Sequence, residues 1–82
     1  MDIKEKIRAT FFEVAEMTEA VLVVDDLDDD TVLLETGLNS LGFAILVVTL
    51  EGELGFDPFP MLEEAVYPRT FLEFVNVYKK FA

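Results

Sequence analysis

The chain contains no cysteine and no histidine, and these two absences remove most of the side chains that do chemistry near neutral pH. Without Cys there are no disulfides and no thiolate metal sites; without His the usual general base and the commonest metal ligand are gone. Basic residues are scarce as well, six Lys and Arg against seventeen Asp and Glu, for a net charge of -11. That charge repels nucleic-acid phosphates and anionic membrane surfaces, and it speeds encounter with proteins that present Lys or Arg patches. No nucleic acid and no membrane are therefore expected among the partners, whereas basic protein surfaces are. The longest strongly apolar stretch, Leu41 to Leu50, has ten residues, against about 20 needed to cross a bilayer. It reads as a buried helix. The start, Met1-Asp2-Ile3-Lys4-Glu5, lacks the basic n-region and apolar h-region of a signal peptide, so a cytoplasmic protein is expected; it is also read as stand-alone and monomeric.

Apolar residues, by contrast, are plentiful: 52% of the chain is hydrophobic and eight residues are Phe. This supply argues for a folded domain despite the charge. Eighty-two residues without a break in composition make one domain, 1–82, burying only about 60% of the surface its unfolded chain exposes. There is no internal repeat and no low-complexity segment.

Ile3, Ile7, Phe11 and Val14 follow one helical face, with Met17 a turn later, and predict a first helix over residues 2–17. Ala20 to Val24 is a β-branched run without a second alternating segment to pair with, so it is read as helix end and packed loop. Asp25 to Asp30 forms a polar connector, after which the apolar residues of Thr31-Val32-Leu33-Leu34 are expected to tuck under the other elements. The spacing of Asp26, Asp28 and Asp30 resembles a calcium loop. However, Thr31 stands where an EF-hand needs Gly, and Gly37 where it needs a bidentate Glu, so the loop is read as solvated acid.

Gly37-Leu38-Asn39 reads as a turn into a second helix that Asn39 caps and Ser40 begins. Phe43, Leu46, Val47, Leu50 and Leu54 make its inward face, and Gly55 with Pro58 stops it after about 15 residues, roughly 22 Å. Between Pro60 and Pro68 only a short third helix fits, Met61-Leu62-Glu63-Glu64-Ala65. A last helix follows: Thr70 and Glu73 match a capping box, Phe71, Phe74, Val75 and Tyr78 line one face, and Lys79 and Lys80 complement the C-terminal dipole.

Ser40 is the only serine in the chain. It sits in a first helical turn, where backbone N–H groups lack partners and the dipole favours an attached anion. A first-turn serine is more often just a compatible polar residue, so position alone assigns it no role. Serving as a hydrolytic nucleophile would require a base, and only carboxylates or a distant lysine are available; no enzyme activity is expected.

The segment Glu35-Thr36-Gly37-Leu38-Asn39-Ser40-Leu41-Gly42-Phe43 resembles the attachment motif of acyl and peptidyl carrier proteins, whose core is Gly, an aliphatic, Asp, Ser, Leu. The resemblance extends to the length of the second helix, to Leu50-Glu51-Gly52-Glu53-Leu54-Gly55-Phe56, and to an aromatic-rich last helix, and so covers nearly the whole chain. It implies an all-α, up-and-down bundle of three main helices plus one short helix. It also implies that Ser40 accepts a covalent 4'-phosphopantetheine arm, moved from coenzyme A by a phosphopantetheinyl transferase that owns the metal, base and coenzyme pocket. The arm's thiol then becomes the nucleophile that holds an acyl or aminoacyl group as a thioester. The implied partners are that transferase, an acyl- or aminoacyl-loading ligase, and downstream enzymes of fatty-acid, polyketide or nonribosomal-peptide type with basic docking patches.

The chain departs from the family pattern at two places. Asn39 stands where the family normally has Asp: capping survives, but a charge worth about 0.3–1 kcal/mol at a helix N-terminus is lost, along with a carboxylate for a transferase arginine to grip. On the outer face of the second helix, where carriers often carry acid, Leu41, Ile45 and Val48 recur at successive turns. They read either as further core, covered by residues 21–38, or as an apolar docking stripe rimmed by Glu51 and Glu53. Phe43, Leu46, Val47, Leu62, Phe71 and Phe74 likewise read as ordinary core or as the lining of an acyl pocket; bulky packing favours core and a short cargo. Two other functions are weighed: a carrier-like interaction module that is never modified, for which Asn39 is the clue, and an acidic mimic occupying a basic cleft, which would need carboxylates spread over one surface whereas here acid clusters in Asp25 to Asp30.

Overall fold

The computed structural model describes residues 2–62 and 68–82. Helix α1 spans Ile3–Met17. It begins where the Asp2 side chain accepts the N–H groups of Lys4 and Glu5 at 3.0 and 3.4 Å, satisfying donors the helix itself cannot. Ile7, Phe11 and Val14 are buried as their spacing requires, joined by Thr10 and Ala15. Thr10 is tolerated in the core because its hydroxyl donates to the Lys6 carbonyl at 2.8 Å. Met17 departs from expectation and is exposed, because the chain turns away there. Glu19 adopts φ 57, and the N–H groups of Glu19 and Ala20 return to the carbonyls of Glu16 and Ala15 at 3.1 and 2.8 Å. This is a Schellman end in which Glu occupies the position glycine usually takes.

The connector to α2 is packed at intervals, with Leu27, Leu33 and Leu38 fully buried. Leu22 and Val24 pack against the core while Val21 and Val23 face solvent, so this run alternates like a strand without forming one. Its backbone is instead tied at single points: Val23 N–H donates to the Thr36 carbonyl at 2.8 Å, and Val32 forms an isolated antiparallel bridge with Thr70. Leu33, at the start of a 3-10 turn over Leu33–Glu35, tucks in as expected. Leu34, also expected inside, is exposed, because the turn points successive side chains in different directions.

The bounds of α2, Ser40–Leu54, agree with the sequence reading, and Gly55 closes it at φ 86. Its inward face is narrower than its spacing suggests: Leu46 and Leu50 are fully buried, whereas Phe43, Val47 and Leu54 are only partly covered. Helix α3, Phe71–Lys80, starts with the complete capping box of Thr70 and Glu73, and Lys79 and Lys80 lie in its last turn. The two hydrogen bonds from Thr70 hold the Glu73 carboxyl below its ordinary range. Of the expected third helix, residues Phe59–Met61 form a 3-10 turn, while Glu63, Glu64 and Ala65 lie outside the described residues. Pro60 has no N–H to donate, which suits a short 3-10 turn at residues 59–61.

Helix α1 packs on both α2 and α3, and one apolar cluster joins all three to the connector. Its aromatic half is built on Phe74, whose ring lies edge-on to Phe43 at 5.1 Å and to Tyr78 at 5.0 Å. Phe59 stacks on Phe74 at 6.1 Å. Tyr78 is completely buried, and its hydroxyl has no hydrogen-bond partner among the described residues. Burial among rings, with Asp57 and Glu51 nearby, pushes that phenol well above its usual value of 10.0. The fold is thus all-α, three helices and two 3-10 turns, with no strand among the described residues.

Candidate functional site

Ser40 is exposed and opens α2. The turn before it is held at three points. Leu38 is buried as an anchor, the Thr36 hydroxyl donates to the Leu33 carbonyl at 2.6 Å, and Leu38 N–H donates to the Thr36 hydroxyl oxygen at 3.3 Å. Gly37 lies between them at φ 107, and a Cβ on it would fall onto the carbonyl oxygen of Val21. Only glycine satisfies both that angle and that approach, so Gly37 is what lets the 18–24 segment close against the start of α2.

Asn39 caps the helix. Its Oδ1 accepts the Gly42 N–H at 2.8 Å, and its backbone is extended at φ -83 and ψ 178. The N–H groups ahead of Gly42 have no acceptor within the helix, and no acid stands in the first turn of α2 to compensate them. A hydroxyl at this place therefore projects into solvent beside a positive helix end that is not neutralised locally.

The apolar stripe of the outer face divides. Leu41 and Val48 are 69% and 68% exposed, Ala44 between them is exposed, and Glu51 is exposed at the far end. Ile45 is instead partly buried and packs against the core. Of the residues weighed as a pocket lining, Leu46, Phe71 and Phe74 are fully buried members of the core, Phe43 and Val47 pack at its margin, and Leu62 is partly buried.

Sequence reasoning did not find a groove that opens beside Ser40. It has a volume of about 370 Å³ and lies between Thr18, Glu19, Ala20 and Val21 on one side and Gly37, Asn39, Leu41, Gly42 and Ile45 on the other. Gly37 was the available signal, since a glycine forced by close approach implies that some other backbone comes near. Gly42 is buried, and a Cβ there would press on Leu38 Cδ1 at 2.6 Å. Two of the acidic residues at 25–30 are used structurally: Asp26 accepts the Leu27 N–H at 2.8 Å and Asp29 pairs with Lys4 at 2.7 Å.

A family model described as a phosphopantetheine attachment site matches residues 5–77. No curated protein and no solved structure matches the chain.

Proposed function

Because the chain belongs to the phosphopantetheine attachment family, whose domain is the site of covalent 4'-phosphopantetheine attachment, we propose that Ser40 receives the arm and that the protein is a non-enzymatic carrier. The observation that carries this reading is the exposed hydroxyl at the start of α2. The residues present fit the group. The phosphodiester is an anion, the first-turn N–H groups and helix dipole favour an anion there, and Asn39 caps the helix without placing a competing negative charge beside it. When attached, the arm supplies a thiol that carries acyl or aminoacyl cargo as a thioester.

The chain's own part is to present the hydroxyl and hold the anchor rigidly. The Thr36–Leu38 turn and the core side chains Leu38 and Leu46 keep the start of α2 in place, so the arm pivots from a fixed point. Tethering raises the effective concentration of cargo at a docked enzyme to about the millimolar range. Base, metal and coenzyme A pocket belong to the transferase, which is how a chain without His or Cys takes part in covalent chemistry. The enzymes served are of fatty-acid, polyketide or nonribosomal-peptide type, in the cytoplasm.

Docking in this reading uses the outer face of α2. Leu41 and Val48 supply apolar contact area, Ala44 lets a partner approach between them, and Glu51 supplies a charged rim. Ile45 supports this face from behind. The transferase, the loading ligase and the downstream enzymes then share one surface, apolar at its centre and answered by basic residues at its edge.

Intact-protein mass spectrometry after incubation with coenzyme A and a broad-specificity phosphopantetheinyl transferase tests the assignment. The expected result is a gain of one arm, absent in Ser40→Ala with the helical circular dichroism unchanged. A chain that stays bare under forcing conditions overturns it and leaves the unmodified interaction module.

A further inference from the structure

The groove between residues 18–21 and the start of α2 has no use in the carrier reading. Its place is specific: Asn39 and Leu41, the residues on either side of Ser40, both line it. Ser40 is exposed between them, so a group attached to it starts one residue from the lining on either side. Its volume of about 370 Å³ falls in the range of small-molecule sites, roughly 300–1,000 Å³. It is preformed, because Gly37 requires close approach of Val21 and because the Ala20 and Val23 N–H groups are tied at 2.8 Å to Ala15 and Thr36. A preformed wall removes part of the ordering cost of binding.

The lining says what fits. Val21, Leu41 and Ile45 offer methyl groups, Thr18 a hydroxyl and Asn39 a primary amide, and Glu19 is the only ionisable side chain. With no cation present, a free carboxylate or a second phosphate has nothing to pair with, and with polar groups at hand a bare hydrocarbon tail gains less than a mixed group does. Asn39 is informative because its Oδ1 is already engaged by Gly42 N–H. Its NH₂ group remains as a donor, which the Asp normal at this position in carriers lacks.

We infer that this groove seats the first half of the arm on Ser40, with the dimethyl-bearing segment against Val21, Leu41 and Ile45 and a hydroxyl or amide carbonyl of the arm accepting from Asn39. The inference rests on Ser40 being the attachment residue. In this arrangement the neutral Asn39 exchanges a charge used in recognition by other enzymes for a hydrogen bond to the carrier's own arm. The resting arm lies along the 18–21 segment, and only its thiol-bearing half moves freely.

The test uses full-length protein carrying an arm isotopically labelled at its geminal methyls, with mass spectrometry first to establish that one arm is attached. Cross-relaxation peaks from those methyls to methyls of Val21, Leu41 and Ile45 are expected, with shift changes concentrated at residues 18–21 and 37–45. Two variants that keep the fold should remove the peaks: Asn39→Asp, which retains the capping acceptor but loses the donor, and Val21→Asp, which places a charge at the mouth of the groove on a side chain that is 82% exposed. A protein with the arm attached but without these peaks, or with peaks to Phe43 and Phe74 instead, overturns the seat and leaves Ser40 as the anchor. Failure to gain the arm at all overturns both.

Discussion

Helices α1 and α2 have the same length, 15 residues, and treat their outer faces in opposite ways. On α1 the cations are answered by acids, most of them from other segments: Lys4 by Asp29 at 2.7 Å, Lys6 by Glu53 at 2.9 Å, and Arg8 by Asp26 and, within the helix, by Glu5. Arg8 also donates to the Leu27 carbonyl at 3.1 Å and lies over the Phe71 ring at 5.3 Å. From Ser40 to Leu50, α2 has no ionisable residue at all, yet Leu41 and Val48 stand in solvent. The face of α1 is finished by intramolecular pairs, each worth only about 0–1 kcal/mol at a surface. The face of α2 is left open, as the proposed docking surface requires, since contiguous exposed apolar area tends to mark an interaction site.

The sharpest way to break this contrast is to charge the open face. Leu41→Glu with Val48→Glu, tested on protein already carrying the arm, should lower loading by a partner ligase at least about tenfold, the equivalent of 1.4 kcal/mol or more, while the thermal midpoint stays within a few degrees. Ile45 is the wrong residue for this purpose, because it also packs against the core. Equal loading by the double variant would remove the functional distinction between the two helices.

Within α2 the two sides should differ just as clearly in stability. Leu46→Ala removes a fully buried side chain and should cost about 3 kcal/mol in urea unfolding, whereas Val48→Ala should stay within about 0.5 kcal/mol of the parent. Gly37→Ala forces a side chain into a left-handed backbone and against the Val21 carbonyl, at a cost of about 2 kcal/mol. Its effect should also reach function, slowing modification of Ser40, because the same contact positions the start of α2.

A small effect at neutral pH is expected at Tyr78, whose hydroxyl is buried without a partner among the described residues. Tyr78→Phe should change stability by no more than about 1 kcal/mol near pH 7, since no hydrogen bond to a described residue is lost. Alkaline solution separates the two proteins. Burial raises the phenol above its ordinary value in the folded state, so its contribution is fully present below pH 10 and is lost as pH rises further, by up to about 1.4 kcal/mol per pH unit. Every other residue is the same in the two proteins, so the difference in urea midpoint between parent and Tyr78→Phe from pH 9 to 11 isolates this group. Parallel decline of the two midpoints would show that the phenol ionises as readily folded as unfolded.

Much of this was legible in the residue order. Asn39 and Gly55 bound α2 because a side-chain acceptor and a left-handed glycine act within one turn, and Thr70 with Glu73 did the same for α3. The spacing of Ile7, Phe11 and Val14 located the buried side of α1 because its other positions are polar. Leu27 and Leu38 were missed as core anchors because each is a lone apolar residue in a polar or turn-forming stretch, where no periodicity exists to be read. Met17 and Leu34 were misplaced for a related reason: periodicity does not report where a chain leaves its helix or turns.

Helix limits, caps and the position of the single serine depend on interactions spanning three or four residues, so they follow from the chain order with no knowledge of the rest. Which side of α2 faces water does not. A helix apolar on nearly every side carries no internal preference for one of them, and the choice among Leu41, Ile45 and Val48 was made by residues far away in sequence. The groove beside Ser40 is of the same kind: it exists only because Gly37 lets the 18–21 segment come within contact of α2, a long-range approach that no local pattern encodes.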